Sequence, residues 1–138
     1  MRVFIKICGL RTAKALEAAV AVGVDAVGFV FAESPRRVTP RQASKLCAGL
    51  SPVVVRVAVM RQPAPAEWQA VADEFAPDWL QTEAADFARL AVDERFGRLP
   101  VYRDDALPAA DALPDGPVRF ECAGSGNGQR VGRLGQDR

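Results

Sequence analysis

The chain contains no histidine, and that absence removes much chemistry. A Ser-His-Asp triad, a Cys-His dyad and a histidine-ligated metal site are all excluded. Any proton donor or acceptor must be Cys, Asp, Glu, Lys or Tyr. Cysteine is scarce too: Cys8, Cys47 and Cys122 lie far apart and form no CxxC pair. An odd, sparse set of this kind fits a reduced cytoplasm better than a disulfide scaffold. Charge of one sign is also lacking, since 18 basic residues face 17 acidic ones for a net +1. Nothing in that balance points to nucleic acid or to an anionic membrane. No apolar run approaches the ~20 residues of a membrane span. The N-terminus enters a strand pattern at once, without a signal-peptide pattern. No linker or low-complexity tract stands out before about Gly124.

What is present is a repeated alternation of strand-like and helix-like segments. The 138 residues suffice for one domain with a sizeable core. Short apolar runs fall at residues 3–8, 26–31, 53–60, 79–81, 99–102 and 118–122. They are rich in β-branched and aromatic residues and lack strict alternation, as strands buried on both faces do. Thr12 caps a helical stripe of Ala15, Leu16, Ala19 and Val20, and Gly23 closes it. Thr39-Pro40-Arg41-Gln42 places threonine at N-cap, proline at N1 and glutamine at N3, a capping box. Ala43, Leu46, Cys47 and Leu50 form the buried face that follows, which makes Cys47 a core residue. Pro65 opens a third helix with Trp68, Val71, Ala72 and Phe75 at helical spacing, again as core. A fourth helix is expected over about residues 84–96, and a short fifth near residues 105–113, where Pro108 weakens the pattern. Strand then helix, repeated, implies a parallel sheet with right-handed crossovers.

The most suggestive stretch for chemistry runs from Ile5 to Thr12. Cys8 ends a strand just before a βα turn, which is where α/β proteins carry their active sites. Lys6, two residues back, shares its face of the strand, and a cation there favours the thiolate. Taken alone, Cys8 reads more readily as a buried structural cysteine.

Taken together, the motifs resemble those of phosphoribosylanthranilate isomerase, a tryptophan-pathway family with a (β/α)₈ TIM-barrel fold. Lys6-Ile7-Cys8-Gly9 resembles the family's first-strand motif. Asp25-Ala26-Val27-Gly28-Phe29-Val30-Phe31, followed by Ser34-Pro35-Arg36-Arg37-Val38, resembles its second strand and the loop beyond. Val55-Arg56-Val57-Ala58-Val59 looks like the third strand, and Leu80-Gln81 like the start of the fourth-strand motif. Gly126-Asn127-Gly128-Gln129-Arg130 resembles the glycine-rich loop after strand six. The likeness runs from about residue 2 to about residue 131.

The resemblance implies an intramolecular oxidoreductase of the aldose–ketose isomerase type. Its reaction converts N-(5-phosphoribosyl)anthranilate to 1-(2-carboxyphenylamino)-1-deoxyribulose 5-phosphate by an Amadori rearrangement. It implies Cys8 as base and Glu121 as acid, with Arg36, Gln81, Gly126 and Gly128 binding substrate. No metal and no cofactor are implied. The partner is a small sugar phosphate, with no nucleic acid or membrane, and the setting is the cytoplasm. A catalytically silent fragment of the family, or another sugar-phosphate barrel enzyme, are the alternatives.

Three departures accompany the likeness. Thr82-Glu83 stand where the family carries a His-Gly pair, and Glu121 stands where it commonly has aspartate. Only about six βα units are recognisable, giving a partial barrel over residues 1–131 and an atypical polar tail over 132–138. That tail suggests a reading frame lost near Val131. The strands of Cys8 and Glu121 are then expected to be open barrel edges, exposing apolar surface and associating.

Overall fold

Apolar runs separated by capped helical stripes produce six parallel strands, wound in the order of the chain. The computed structural model describes residues 2–103 and 107–121. The strands are β1 (Lys6–Cys8), β2 (Ala26–Val30), β3 (Val55–Val59), β4 (Trp79–Glu83), β5 (Gly97–Arg103) and β6 (Arg119–Glu121). They form one sheet of order β1-β2-β3-β4-β5-β6, in which every neighbouring pair is parallel. Helices α1 (Ala13–Ala21), α2 (Pro40–Leu46), α3 (Pro65–Glu74) and α4 (Asp86–Leu90) follow the first four strands. Among the described residues, β1 and β6 are each paired on one side only.

The helices and the cavity use opposite faces of the sheet. Val27, Phe29, Ala58 and Leu80 join Trp68, Val71 and Phe75 of the α3 region in the main apolar core. Phe75 meets the rings of Phe29 and Phe31, each at 5.4 Å between centroids. The alternate positions, among them Val30, Val59, Gln81, Glu83, Arg103 and Glu121, line a cavity. Coverage on both sides is why β2 is buried throughout and shows no polar alternation. Toward the N-terminal end of β4, Phe4 stacks on Trp79 at 5.6 Å. The missing side chain of Gly97 gives the indole its room, since a Cβ there would fall 2.2 Å from Trp79 Cδ1.

Local signals set the helix starts. Thr12 Oγ1 accepts from Ala15 N at 3.1 Å, and Gly23 leaves α1 with φ +77°. The capping box is complete: Thr39 Oγ1 accepts from Gln42 N at 3.1 Å, and Gln42 Oε1 from Thr39 N at 2.8 Å. Pro65 takes the first turn of α3, and Glu67 Oε1 reaches back to Ala64 N at 3.2 Å.

Two helical expectations are corrected. The helix expected over residues 84–96 occupies only Asp86–Leu90. Ala91 turns left-handed with φ +48°, and Val92 N folds back onto the Phe87 carbonyl at 3.4 Å. Burial of Phe87, Leu90, Val92 and Phe96 together makes that early stop worthwhile against the cost of an alanine in the left-handed region. The expected fifth helix is a single 3₁₀ turn over Ala110–Ala112, because Pro108 and Pro114 bound the segment. Residues 105 and 106 of that span lie outside the described residues.

Cys47 sits in the core, as its helical spacing implies. Burial pushes its thiol pKa from 9.0 up to about 11. Between those values the unfolded chain loses this proton while the folded chain keeps it. The stability Cys47 contributes is therefore complete below pH 9 and is lost as pH rises through about 11. Urea unfolding across that window should show a loss of about 1–2 kcal/mol attributable to this thiol. In Cys47→Ala the decline should be shallower by that amount; an unchanged slope would refute the assignment.

Candidate active site

The loop after β2 is built to hold one arginine against β1. Ser34 Oγ accepts from Arg36 N at 3.1 Å, Ser34 O accepts from Arg37 N at 3.0 Å, and Val38 N returns to Val30 O at 2.9 Å. Arg11 Nη1 also donates to Pro35 O at 2.9 Å. The Arg36 side chain then lies across Gly9. A Cβ on Gly9 would fall 2.8 Å from both Arg36 Cδ and Nη1, and Gly9 itself has φ +82°. Any side chain at residue 9 would displace the guanidinium and strain the backbone.

Cys8 is partly buried next to this contact, and its Sγ lies over Gly28 of β2. A Cβ at Gly28 would stand 3.0 Å from Cys8 Sγ and 3.3 Å from Lys6 Nζ. The two side chains thus share the space that glycine leaves empty. Cys8 and Gly28 are register partners, which fixes this meeting in the sheet itself.

A cavity of about 310 Å³ opens at the C-terminal ends of the strands, and Arg36, Gln81 and Glu121 all line it. That size suits a small metabolite. Cys8 is not one of its lining residues; it reaches the cavity's neighbourhood through Arg36 and through Lys6, which interacts electrostatically with both Cys8 and Glu121. Gln81 is 2 % exposed, and its Oε1 has no hydrogen-bond partner among the described residues. A buried acceptor without a partner is rare enough to mark a place for an incoming donor. Gly126 and Gly128 lie outside the described residues.

The cavity also holds charged groups that sequence reading did not assign. Glu83 Oε1 accepts from Arg103 Nη2 at 3.0 Å and from Nε at 3.2 Å, while Oε2 accepts from Gln62 Nε2 at 3.1 Å. Arg61 Nε stands 3.8 Å from Glu83 Oε1. Arg119, 8 % exposed, places its Nε 3.1 Å from Glu121 Oε1, although the N–H is not aimed for a hydrogen bond. Four arginines, residues 36, 61, 103 and 119, face three glutamates, residues 33, 83 and 121, around this space. The excess of cation suits an anionic ligand. The signal that would have found Arg103 and Arg119 is period two: each lies two residues from a cavity position, Val101 and Glu121.

Thr82, next to Glu83, faces the other way. It is wholly buried, and its Oγ1 donates to Asp86 Oδ2 at 2.6 Å. Asp86 also pairs with Arg89 at 3.0 Å and accepts from Gln62 N at 3.2 Å, tying the start of α4 to the loop after β3. Thr82→Val should cost about 1–3 kcal/mol in urea unfolding, because a buried carboxylate loses a donor. An unchanged unfolding midpoint would mean that water or Arg89 fully replaces the hydroxyl.

No group of His, Cys, Asp and Glu suited to holding a metal occurs among the described residues. No helix there is long and apolar enough to cross a membrane.

No protein-family model matches the chain. The chain is 39 % identical over 112 residues to the N-(5'-phosphoribosyl)anthranilate isomerase of Granulibacter bethesdensis, covering 80 % of this chain and 53 % of that protein. It is 42 % identical over 127 residues to the enzyme of the same name from Rhodopseudomonas palustris, covering 89 % and 57 %. It therefore spans little more than half the length of these curated relatives. The crystal structure of phosphoribosyl anthranilate isomerase from Thermotoga maritima superposes with a TM-score of 0.75 at 27 % identity, over 88 % of this chain and 62 % of that one. A phosphoribosyl anthranilate isomerase crystallised with reduced 1-(o-carboxyphenylamino)-1-deoxyribulose 5-phosphate superposes with a TM-score of 0.66 at 31 % identity, over 74 % and 54 %.

Proposed function

Because this chain belongs to the phosphoribosylanthranilate isomerase family, we propose that it acts on N-(5-phosphoribosyl)anthranilate, rearranging it to the 1-amino-1-deoxyribulose 5-phosphate product. The observation that carries the reading is the convergence of Arg36, Gln81 and Glu121 on one cavity, beside the strand end that bears Cys8.

The reaction needs an acid at the ring oxygen and a base at C2. Glu121 gives a proton to the ring oxygen as the furanose opens to the Schiff base. The Cys8 thiolate takes the C2 proton, and the resulting enolamine tautomerises to the ketone. From substrate to product C2 and its hydroxyl each release one proton, the ring oxygen and C1 each gain one, and the nitrogen ends with the proton it began with. The site ends with the protons it began with, so two titratable groups facing one sugar suffice.

Arg36 meets the anthranilate carboxylate, for which a planar guanidinium offers two parallel donors. Gln81 Oε1, lacking a partner, accepts from a sugar hydroxyl. Gly126 and Gly128 are assigned to the phosphate, for which backbone N–H groups of a glycine-rich segment are suitable donors. Arg61, Arg103 and Arg119 offset the substrate's negative charge, and Glu83 holds Arg103 in place. The sparse cysteines suit a cytoplasmic setting. Among the described residues β1 and β6 are paired on one side only, which supports association of copies through those strands; a monomer at all concentrations in sedimentation velocity would refute that part.

The deciding experiment follows the fluorescence of N-(5-phosphoribosyl)anthranilate with the purified chain. Loss of signal above the enzyme-free rate, with the ketone product identified by mass spectrometry, is the expected result. A folded chain that leaves the rate at the blank would overturn the proposal.

A further inference from the structure

We infer that Lys6 is a positioning residue for Cys8: the two side chains share one proton and rest as a thiolate–ammonium pair over Gly28. The inference deepens the proposed function, on which it rests for its catalytic meaning. Its physical content concerns the unliganded chain alone.

Three observations carry it. Lys6 and Cys8 project from the same face of β1. Both reach the point where a Gly28 Cβ would be, Sγ at 3.0 Å and Nζ at 3.3 Å, so their separation cannot exceed the sum of those distances. The two side chains also interact electrostatically, each favouring the charged form of the other. The charged groups facing Lys6 are Cys8 on its own strand and Arg119 and Glu121 on β6, while its neighbour β2 offers only Ala26 and Gly28 in register. Desolvation pushes the Lys6 pKa below the usual lysine value, with Arg119 acting in the same direction and Cys8 and Glu121 against it. An amine made less basic by burial is better matched to exchange a proton with a thiol.

In a chain without histidine, Lys6 takes the place that imidazole holds in a Cys-His dyad. The thiol proton moves to the Lys6 nitrogen and leaves a lone pair on sulfur. That lone pair accepts the substrate's C2 proton, while Lys6 keeps its own. The proton on sulfur is passed on during tautomerisation, and the pair is restored. Gly28 is part of the device, because any side chain there would intrude between the two groups.

The test is alkylation of Cys8 by iodoacetamide across a pH series, read at the Cys8 peptide by mass spectrometry. The intact chain is compared with Lys6→Met and Lys6→Gln. Thermal unfolding confirms that at least one variant is folded. Neither substitution can hold the thiol proton. Alkylation should slow roughly tenfold near neutral pH and converge with the unaltered chain at high pH, where the thiol ionises unaided. Equal rates at every pH would overturn the pair. So would an equal slowing at every pH, which reports access to sulfur rather than its ionisation. No substrate is used, so failure of the isomerase proposal and failure of the pair are separately visible.

Discussion

Cys8→Ala is expected to lower kcat by about 10²–10⁴, the range lost with a positioned general base, while the chain stays folded. The position tolerates a smaller residue: Cys8 is only partly buried, and its strand is held by backbone pairing to β2 rather than by the thiol. The expected KM is little changed, because the proposed mode of binding rests on Arg36 and the cavity walls. A fluorescence progress curve gives kcat, and a thermal unfolding curve checks the fold. If the variant kept most of its kcat, the base would have to be sought elsewhere, among the cavity carboxylates Glu33, Glu83 and Glu121.

Glu121 separates into charge and reach. Glu121→Gln should reduce kcat by about 10²–10⁴, since an amide cannot donate an acidic proton. Glu121→Asp should retain activity or raise it, because the carboxyl remains and the family's common residue is restored. Both variants disturb the 3.1 Å approach of Arg119 Nε. A purely structural role would therefore show as equal loss in the two, accompanied by a lowered unfolding midpoint. Equal retention would remove Glu121 from the mechanism altogether.

Much of this molecule was legible because its signals are local. Thr39, Pro40 and Gln42 specify a helix start within four residues, and the capping box forms as expected. Trp68, Val71, Ala72 and Phe75 repeat at helical spacing, and all are buried. The unbroken apolar run of β2 announces a strand covered on both faces. Cys8 at the end of β1 is likewise a statement of chain order, since strand ends before βα turns recur as sites whatever the details. The fourth helix was not legible beyond its existence. Alanine carries no stop signal, and the left-handed turn at Ala91 answers to the burial of Val92 and Phe96.

What only the tertiary structure decided is who meets whom across the sheet. Thr82-Glu83 read simply as a departure from a motif, yet the fold gives them opposite duties. Thr82 turns outward to Asp86, and Glu83 turns inward to Arg103, twenty residues away in the chain. That division follows from the two-residue period of a strand combined with a parallel neighbour, and the register of β4 on β5 is not written in either segment alone. The same holds for Lys6. Its place beside Cys8 is fixed by two positions of sequence, whereas Arg119 and Glu121 come into range of it only through the winding of six parallel strands. Sequence therefore determined the elements and the chemistry available on them, because capping and periodicity act over a few residues. Tertiary structure decided the charge pairing in the cavity, because electrostatic partners are chosen by distance in space.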